Sequence, residues 1–510
     1  MIERLIHYPT IVIGSGFGGA VAASTLVDAG EQVLLLERGP WRDSEAVREA
    51  GIERRASLPV GRKALTHLIH RVSLPGILGK GQRLSSRGLF DLHLDTDMTV
   101  VCSNGVGGGS HVYSAMNTRP QESDYWDNHV DGVSSEAMDD HYAWMLDRMG
   151  ARVPDAQEQI PNWTPGAFAE SKDFVADEGV PQPAMSTRMA GEQEDYCNNS
   201  YFGSANGAKA TLDRVLILPA MKKGLQVAAE QECLSLWMLP DGGYRLEIMD
   251  HRIKRRRYLI ADRIILAAGT LNTLRLLFHS RAIGGLKGMP ALGLGFSGNG
   301  DSVAWWALNE QGADFSLGTP THGRFALRDA GTGKAMPGPY ITRFGFNGVN
   351  TLPLPKWLKA RLRRDAILVG MGRDRADGVA LWKRGRLKFR YIAQNNGILA
   401  DIQAFFAEVA RRSRKPVRFL KNQPLTVHPL GGARLAANER DGVVDGTGQV
   451  YGLPGLYIAD ASALPASPGM PPSMTIAAWS RHLALGMTAN KKRTPRPRTA
   501  PKRSRKPAHV

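Results

Sequence analysis

The chain has 510 residues, 43% hydrophobic and 22% charged, which is enough for two domains with a large core. No apolar run approaches the ~20 residues of a membrane-spanning helix, and three scattered cysteines, Cys102, Cys197 and Cys233, argue against a disulfide scaffold or a metal centre. Of the net charge of +17, nine come from the acid-free residues 491–510, which leaves +8 for the rest of the chain.

The first predicted elements lie in TIVIGSGFGGAVAASTLVDAGEQVLLLERG, residues 10–39. An apolar run ends at Gly14, an Ala/Val-rich helical segment follows to Gly30, and a second apolar run, 33–36, leads to Glu37. Strand, glycine turn, helix, strand and acid arrive in the order of a dinucleotide-binding βαβ unit. Gly14 permits the tight turn, Gly16 lets the main chain approach a pyrophosphate, and Gly19 lets the helix pack closely on the strand. The helix N-terminus offers free N–H groups to the phosphates, and Glu37 can accept from ribose hydroxyls. Only nine residues precede the first strand, without the charged, apolar and small-residue succession of a secretory leader, so a cytoplasmic location is expected.

Residues 62–88 mix Leu, Ile and Val with Lys and Arg. They read either as an amphipathic surface helix followed by a loop or as an interfacial surface that takes a hydrophobic substrate from a membrane. The stretch VVCSNGVGGGSHVYSAMNTRP, residues 100–120, places Gly107, Gly108 and Gly109 before Ser110. A loop without side chains lets a planar ring lie against the main chain, with Asn104, Ser110 and backbone N–H groups bonding its polar edge, as an isoalloxazine requires. A helix is expected over 134–149 with Ser135 as its cap, and 151–210 is loop-rich. Asp241-Gly242-Gly243 reads as a hairpin turn, and RIKRRRY at 252–258 as the edge of a small sheet.

The segment YLIADRIILAAGTLNTLRLL, 258–277, is a buried-type strand ending at Gly269 and then a helix capped by Thr270. Residues 302–392 alternate extended patches with Gly, Asp and Pro turns, an antiparallel pattern over which the 134–149 helix and a second at 399–412 would pack. Near the end, an apolar run leads into Asp460 and a helix spans 475–487. These late strands belong to one discontinuous nucleotide-binding domain, which favours FAD over a nicotinamide, with Asp460 near the ribityl or pyrophosphate portion. Between them lies PLTVHPLGGARLAA, 424–437, whose His428 reads on its own as a turn histidine with a structural hydrogen bond.

The GSGFGG unit, the GVGGGS loop, AAGTLNTLRLL, HPLGG and YIADASALPASPG with SMTIAA together resemble the glucose-methanol-choline (GMC) oxidoreductases, and within them the cholesterol oxidase-like branch. The resemblance covers about half of the chain. It implies an α/β fold: a discontinuous Rossmann-like FAD-binding domain plus a substrate domain with a mainly antiparallel sheet and covering helices. The expected FAD-binding parts are 1–120, with 62–88 as a lid-like segment, 211–300 and 421–490. The substrate domain would comprise 121–210 and 301–420, and 491–510 a disordered basic tail able to bind polyanions, without a specific nucleic-acid site.

The resemblance further implies FAD contacts from Val227, Gly269, Pro472, Ser473 and Met474. It makes His428 the base at the flavin's reactive edge, with Pro429 and the following glycines fixing the loop and admitting the flavin. The substrate would be a small hydrophobic alcohol, possible sterols included, and the acceptor O2 or another oxidant, with peripheral membrane contact. One position departs from the pattern. Where the family carries a polar partner before the last helix, this chain has Pro471, which has no donor. His111 and Tyr113 are the polar replacements to consider. The alternatives are a related flavoenzyme with decarboxylation or isomerisation chemistry, or a flavin-binding protein without turnover.

Overall fold

Two strands rich in Ile, Val and Leu, β1 (Ile6–Ile13) and β2 (Val33–Glu37), run parallel with Val12 opposite Leu35. Between them α1 (Phe17–Asp28) is buried at every position from Phe17 to Val27. A helix apolar on all sides belongs inside a protein. The computed structural model describes residues 6–74, 81–153, 173–175, 183–187, 201–318, 320–324 and 326–493. The expected tail lies outside the described residues from 494 onward, and so does much of the loop-rich 151–210.

The sheet grows on both sides of β1. β3 (Gln226–Ala229) pairs parallel with β2; β4 (Gln231–Met238), β5 (Tyr244–Asp250) and the first half of β6 (Arg255–Leu266) form an antiparallel meander. The second half of β6 lies parallel between β1 and the short strand Leu456–Ile458. Asp241-Gly242-Gly243 falls in the turn between β4 and β5, as expected. The basic run 252–258 opens the central strand β6 rather than an edge strand, but it extends past β1, whose pairing begins only at Leu259. The overhanging arginines meet acids across the meander, Arg256 with Glu247 at 2.8 Å and Arg257 with Asp250 at 3.4 Å.

A second, five-stranded antiparallel sheet has the order Thr321–Arg324, Tyr340–Phe344, Ala366–Met371, Ser302–Trp306, Val417–Phe419. Helix Gly397–Ser413 covers one face, with Ile402, Phe405, Phe406 and Val409 packed on Ala304, Trp306, Ile341 and Leu368. Three sequence expectations are corrected here. VALWKRG and RLKFRY form a hairpin that pairs with Leu294–Phe296 outside this sheet, because alternation specifies a strand and not its partner. Helix Ser135–Arg148 packs on the last helix, Ser473–Arg493, through Tyr142, Trp126 and Trp479 rather than over the second sheet. Its cap is Ser134, whose side chain accepts from Ala137 N–H, while Ser135 accepts from Trp126 N–H.

Residues 62–88 contain no long amphipathic helix among those described. After one short helical turn, Ala64–His67, the chain enters strand Ile69–Ser73, which pairs with Phe90–Leu94 in a third sheet. Residues 75–80 of this segment lie outside the described residues. The same sheet carries Thr99–Ser103 and, at its edge, Leu425–Thr426. It therefore ties the two glycine-rich stretches near residues 107 and 431 to one platform.

Candidate active site

A cavity of about 670 Å³ runs between the C-terminal ends of β1, β2 and β6 and the uncovered face of the second sheet. Ligands of open α/β sheets bind at such strand ends. The floor is glycine. Gly14, at φ +100°, packs so closely on β6 that a Cβ there would lie 2.2 Å from Ala267 O, and one on Gly19 would lie 1.8 Å from Gly14 O. Gly16 is different: it lines the cavity, a Cβ there would meet nothing within 4 Å, and as N-cap of α1 it leaves the helix without a side-chain cap. An uncapped helix N-terminus facing a cavity is an anion site. Gly19 is a packing residue and does not line the cavity.

Glu37 lines the cavity and holds the turn from outside. Its Oε2 accepts from Ser15 Oγ (2.7 Å) and N–H (3.2 Å), and its Oε1 accepts from Gly39 N–H (2.8 Å). Ser15 Oγ in turn accepts from Gly107 N–H at 3.2 Å, and a Cβ on Gly108 would lie 2.6 Å from Gly16 Cα. The first glycine turn and the second glycine loop thus touch, through a serine that the sequence pattern did not single out.

In the second loop Gly108 and Gly109 line the cavity, whereas Gly107, Asn104, Ser110 and His111 do not. Ser110 Oγ donates to Gly107 O and accepts from Leu212 N–H, and Asn104 donates to Gly88 O, so both fix the loop from behind. His111 is buried, with Nε2 2.6 Å from Val106 O, and burial lowers its pKa. It is a core histidine and no substitute catalytic partner. Tyr113 does line the cavity, but its hydroxyl donates to Ala210 O at 2.9 Å and its ring packs edge-on against Phe17. Lys209, fully buried and lowered to about 7 by that burial, donates to His111 O and Tyr113 O and ties the loop down.

At the other end of the cavity, Val227 pairs with Leu35 and does not reach the lumen; the wall is Gln231, Glu232, Cys233 and Leu234, with Arg38, Asn272 and Arg275 opposite. Beneath Arg38, Asp91 Oδ2 accepts from Arg38 (2.5 Å) and Oδ1 meets His70 Nδ1 (2.6 Å). Burial pushes the Asp91 pKa up, but Arg38 and His70 outweigh it and hold the carboxyl well below its usual range.

Gly269, at φ +79°, lines the cavity and is itself the N-cap of helix Thr270–Ala282; Thr270 donates to Pro429 O at 2.7 Å instead of capping. Asp460 lines the cavity, yet its carboxylate is already engaged: Oδ2 accepts from Gly269 N–H (3.0 Å) and Thr273 Oγ1 (2.5 Å), Oδ1 from Ser462 N–H (2.9 Å) and Oγ (2.6 Å). Burial raises its pKa against those donors. Asp460 therefore holds the cavity wall together. Pro471, Pro472 and Ser473 line the cavity, and Ser473 Oγ is buried without a protein partner. Met474 is fully buried in the core beside them.

His428 lines the cavity on the side of the second sheet. Its Nδ1 lies 2.9 Å from Asp301 Oδ2, off the line of an ideal hydrogen bond. Thr426 Oγ1 donates to the same Asp301 oxygen at 2.8 Å and accepts from His428 N–H at 2.8 Å. Gly431 and Gly432 face the protein: a Cβ on Gly431 would lie 1.9 Å from Gly295 O, and one on Gly432 2.7 Å from Leu274. They permit backbone packing and do not admit a ligand, so only Pro429 of the HPLGG stretch shares the cavity with His428.

The cavity fits FAD on three observations: the open N-terminus at Gly16, the uncrowded Cα of Gly109 on the cavity wall, and the orphaned Ser473 hydroxyl. Gly16 would receive the pyrophosphate, Glu37 the adenosine ribose, and the main chain at Gly108 and Gly109 the flavin.

Comparisons with known proteins show the family to which the chain belongs. Two family profiles described as GMC oxidoreductase match residues 8–294 and 371–480. A cholesterol oxidase of Mycobacterium tuberculosis is 26% identical over 96% of this chain and 92% of its own length. A cholesterol oxidase of Acinetobacter baumannii is 25% identical over 92% of each chain. A long-chain-alcohol oxidase of Arabidopsis thaliana is 22% identical over 92% of this chain and 65% of its own. Among solved structures, pyridoxine 4-oxidase from Mesorbium loti superposes with a TM-score of 0.55 at 16% identity, covering 94% of this chain and 99% of that one.

Proposed function

Because the chain belongs to the GMC oxidoreductase family, whose members are FAD-dependent alcohol oxidoreductases, we propose that it oxidises the CH–OH group of an apolar, sterol-like alcohol with His428 as the base. The observation that carries this is the pairing of His428 with Asp301 at the cavity wall. A proton kept on Nδ1 by the Asp301 carboxylate leaves the Nε2 lone pair to accept a proton from a substrate hydroxyl. FAD, when bound, supplies the hydride acceptor.

The second sheet supports the apolar substrate. Val303, Phe344, Ile367, Val369 and Met371 turn side chains toward the cavity from the face that helix Gly397–Ser413 leaves free. Such a wall binds hydrocarbon by removing it from water and gives it no polar handle. The named activities of the relatives, cholesterol and long-chain alcohol oxidation, belong to the same substrate class. With Pro471 in place of a polar partner, Ser473 is the polar side chain on the flavin side, so more of the proton handling falls to His428. No helix among the described residues is long and apolar enough to cross a membrane.

Anaerobic mixing of the purified holoprotein with sterols and long-chain primary alcohols, while following visible flavin absorbance, tests the reading. Bleaching by one of them is expected. Consumption of substrate without bleaching would point to the decarboxylation or isomerisation alternative and overturn it.

A further inference from the structure

Past Glu37 the cavity continues between a strand and a helix. Ala229 pairs with Glu37 and Glu230 N–H donates to Gly39 O at 3.0 Å, so β4 starts beside the Glu37 turn, and its Gln231–Leu234 line the lumen. Helix Thr270–Ala282 starts at the first glycine turn, where a Cβ on Gly14 would lie 2.7 Å from Ala268 Cα. It then runs beside β4, with Leu236 N–H donating to Ser280 Oγ at 2.9 Å. Asn272, Arg275, Leu276 and His279, which share one helical face by their spacing, all line the lumen. From Thr270 to His279 the helix rises roughly 14 Å, comparable with an extended adenosine diphosphate.

A hairpin closes this end. Strands Gly378–Lys383 and Arg386–Arg390 are joined by Arg384 and Gly385, both left-handed at φ +50° and +71°, as a two-residue turn requires. Trp382 and Gly385 line the cavity. The hairpin is fastened at both ends: a Cβ on Gly293 would lie 2.1 Å from Ala380 O, and Arg386 donates to Leu74 O at 2.9 Å. Phe278 lies parallel to the Trp382 ring, 8° between planes and 6.3 Å between centroids, and the His279 ring is 6.0 Å away. Arg275 makes one hydrogen bond among the described residues, to Asn272 Oδ1 at 2.7 Å. Burial, with Arg71 and Arg38 beside it, lowers its pKa to about 10, so its other N–H groups await acceptors. A fixed indole, a planar guanidinium and a strand backbone together suit a flat heteroaromatic ring with acceptor nitrogens.

We propose that this slot holds the adenine of FAD, with Trp382 against the base and Arg275 donating to its ring nitrogens. The order of groups along the dinucleotide supports the assignment. With the pyrophosphate at Gly16 and the ribose at Glu37, the base has to lie past Glu37, on the side away from Gly108, Gly109 and His428. An aromatic side chain stacks on a base through its π-face, and a guanidinium supplies both a stacking plane and donors. The stretch that carries Trp382 was expected in the substrate domain, yet its hairpin reaches the far end of the cofactor's cavity, so bound FAD would fasten the hairpin to the nucleotide-binding sheet. Recognition of the base there distinguishes FAD from a flavin mononucleotide, which has no adenosine.

The test uses the full-length holoprotein without substrate, following FAD release as the rise in flavin fluorescence after dilution. Trp382→Leu should release FAD about tenfold faster than the parent. Trp382→Phe, which keeps a ring, should stay within about threefold of the parent. The visible spectrum of the bound flavin should be unchanged in both, since Gly108 and Gly109 lie at the other end of the cavity. Release from Trp382→Leu at the parental rate overturns the proposal, and so does a Phe variant as fast as the Leu variant. Faster release together with a shifted bound-flavin spectrum would mean that the whole site has loosened, and overturns it equally. A crystal structure of the parental holoprotein decides the matter if the variants do not fold: the base is expected between Trp382 and β4, and a base placed elsewhere overturns the proposal. Neither measurement contains an alcohol, so the proposal can fail while alcohol oxidation stands, and the reverse.

Discussion

Asp301 Oδ2 lies 2.9 Å from His428 Nδ1, and Thr426 Oγ1 bonds to both residues, so the histidine is held by its side chain and by its own main chain. Asp301→Asn keeps the volume and removes the carboxylate charge beside Nδ1. Flavin reduction by alcohol should slow by about 10²-fold, the lower end of the range for positioned proton transfer, with FAD content unchanged. Because a merely structural aspartate would leave the pH profile of reduction in place, stopped-flow reduction across pH 5 to 9 decides the matter.

His428→Ala should remove the proposed base outright. The pyrophosphate end at Gly16 and the turn around Glu37 are on the opposite wall, so the flavin stays bound while reduction slows by about 10² to 10⁴. The higher part of that range is expected, since Pro471 supplies no second proton carrier. Reduction at the parental rate with every active alcohol would make this histidine structural.

Glu37→Ala leaves three donors, Ser15 N–H, Ser15 Oγ and Gly39 N–H, without their acceptor. FAD affinity should fall by about 1.5 to 3 kcal/mol, and the apoprotein should also lose stability, because the same carboxylate braces the glycine turn. Titration with FAD and apoprotein melting separate the two losses.

His141 gives a pH prediction. Burial, together with neighbouring Arg481, which bonds its Nδ1 at 2.7 Å, lowers its pKa to about 4 from an unfolded value of 6.5. Below pH 6.5 the unfolded chain takes up a proton that the folded chain refuses, so stability is lost as pH falls from 6.5 toward 4. His141→Gln, which still accepts from Arg481, should lose less stability over that interval in urea titrations and match the parent near pH 8.

Deletion of residues 494–510 should leave the flavin spectrum and soluble-alcohol turnover intact. The last helix runs to Arg493, six residues beyond the end expected from sequence, so a cut at 491 would clip it. Loss of FAD on deletion of 494–510 would show that the tail braces the fold.

The βαβ unit was legible because each of its glycines answers a backbone requirement within a few residues: a left-handed φ at Gly14, an open Cα at Gly16, a helix–strand approach at Gly19. The HPLGG glycines illustrate the opposite case. Their type is local, but whether a missing Cβ makes room for a ligand or for Gly295 and Leu274 depends on what packs there. His111 and Tyr113 were equally ambiguous, since sequence alternation does not say which polar atom already has a partner, and both are committed to backbone carbonyls. Val227 stands one strand short of the cavity wall at Gln231–Leu234, a matter of register that the sequence pattern does not record.

The sequence by itself determined the nucleotide-binding core, the antiparallel sheet and the histidine, because turns, periodicity and glycine chemistry act over short stretches of chain. Only the tertiary structure decided that Asp301 lies beside His428 Nδ1 and that Ser15 joins the two glycine loops. Each of those is a contact between segments distant in sequence, set by strand pairing and packing, and no local pattern records it.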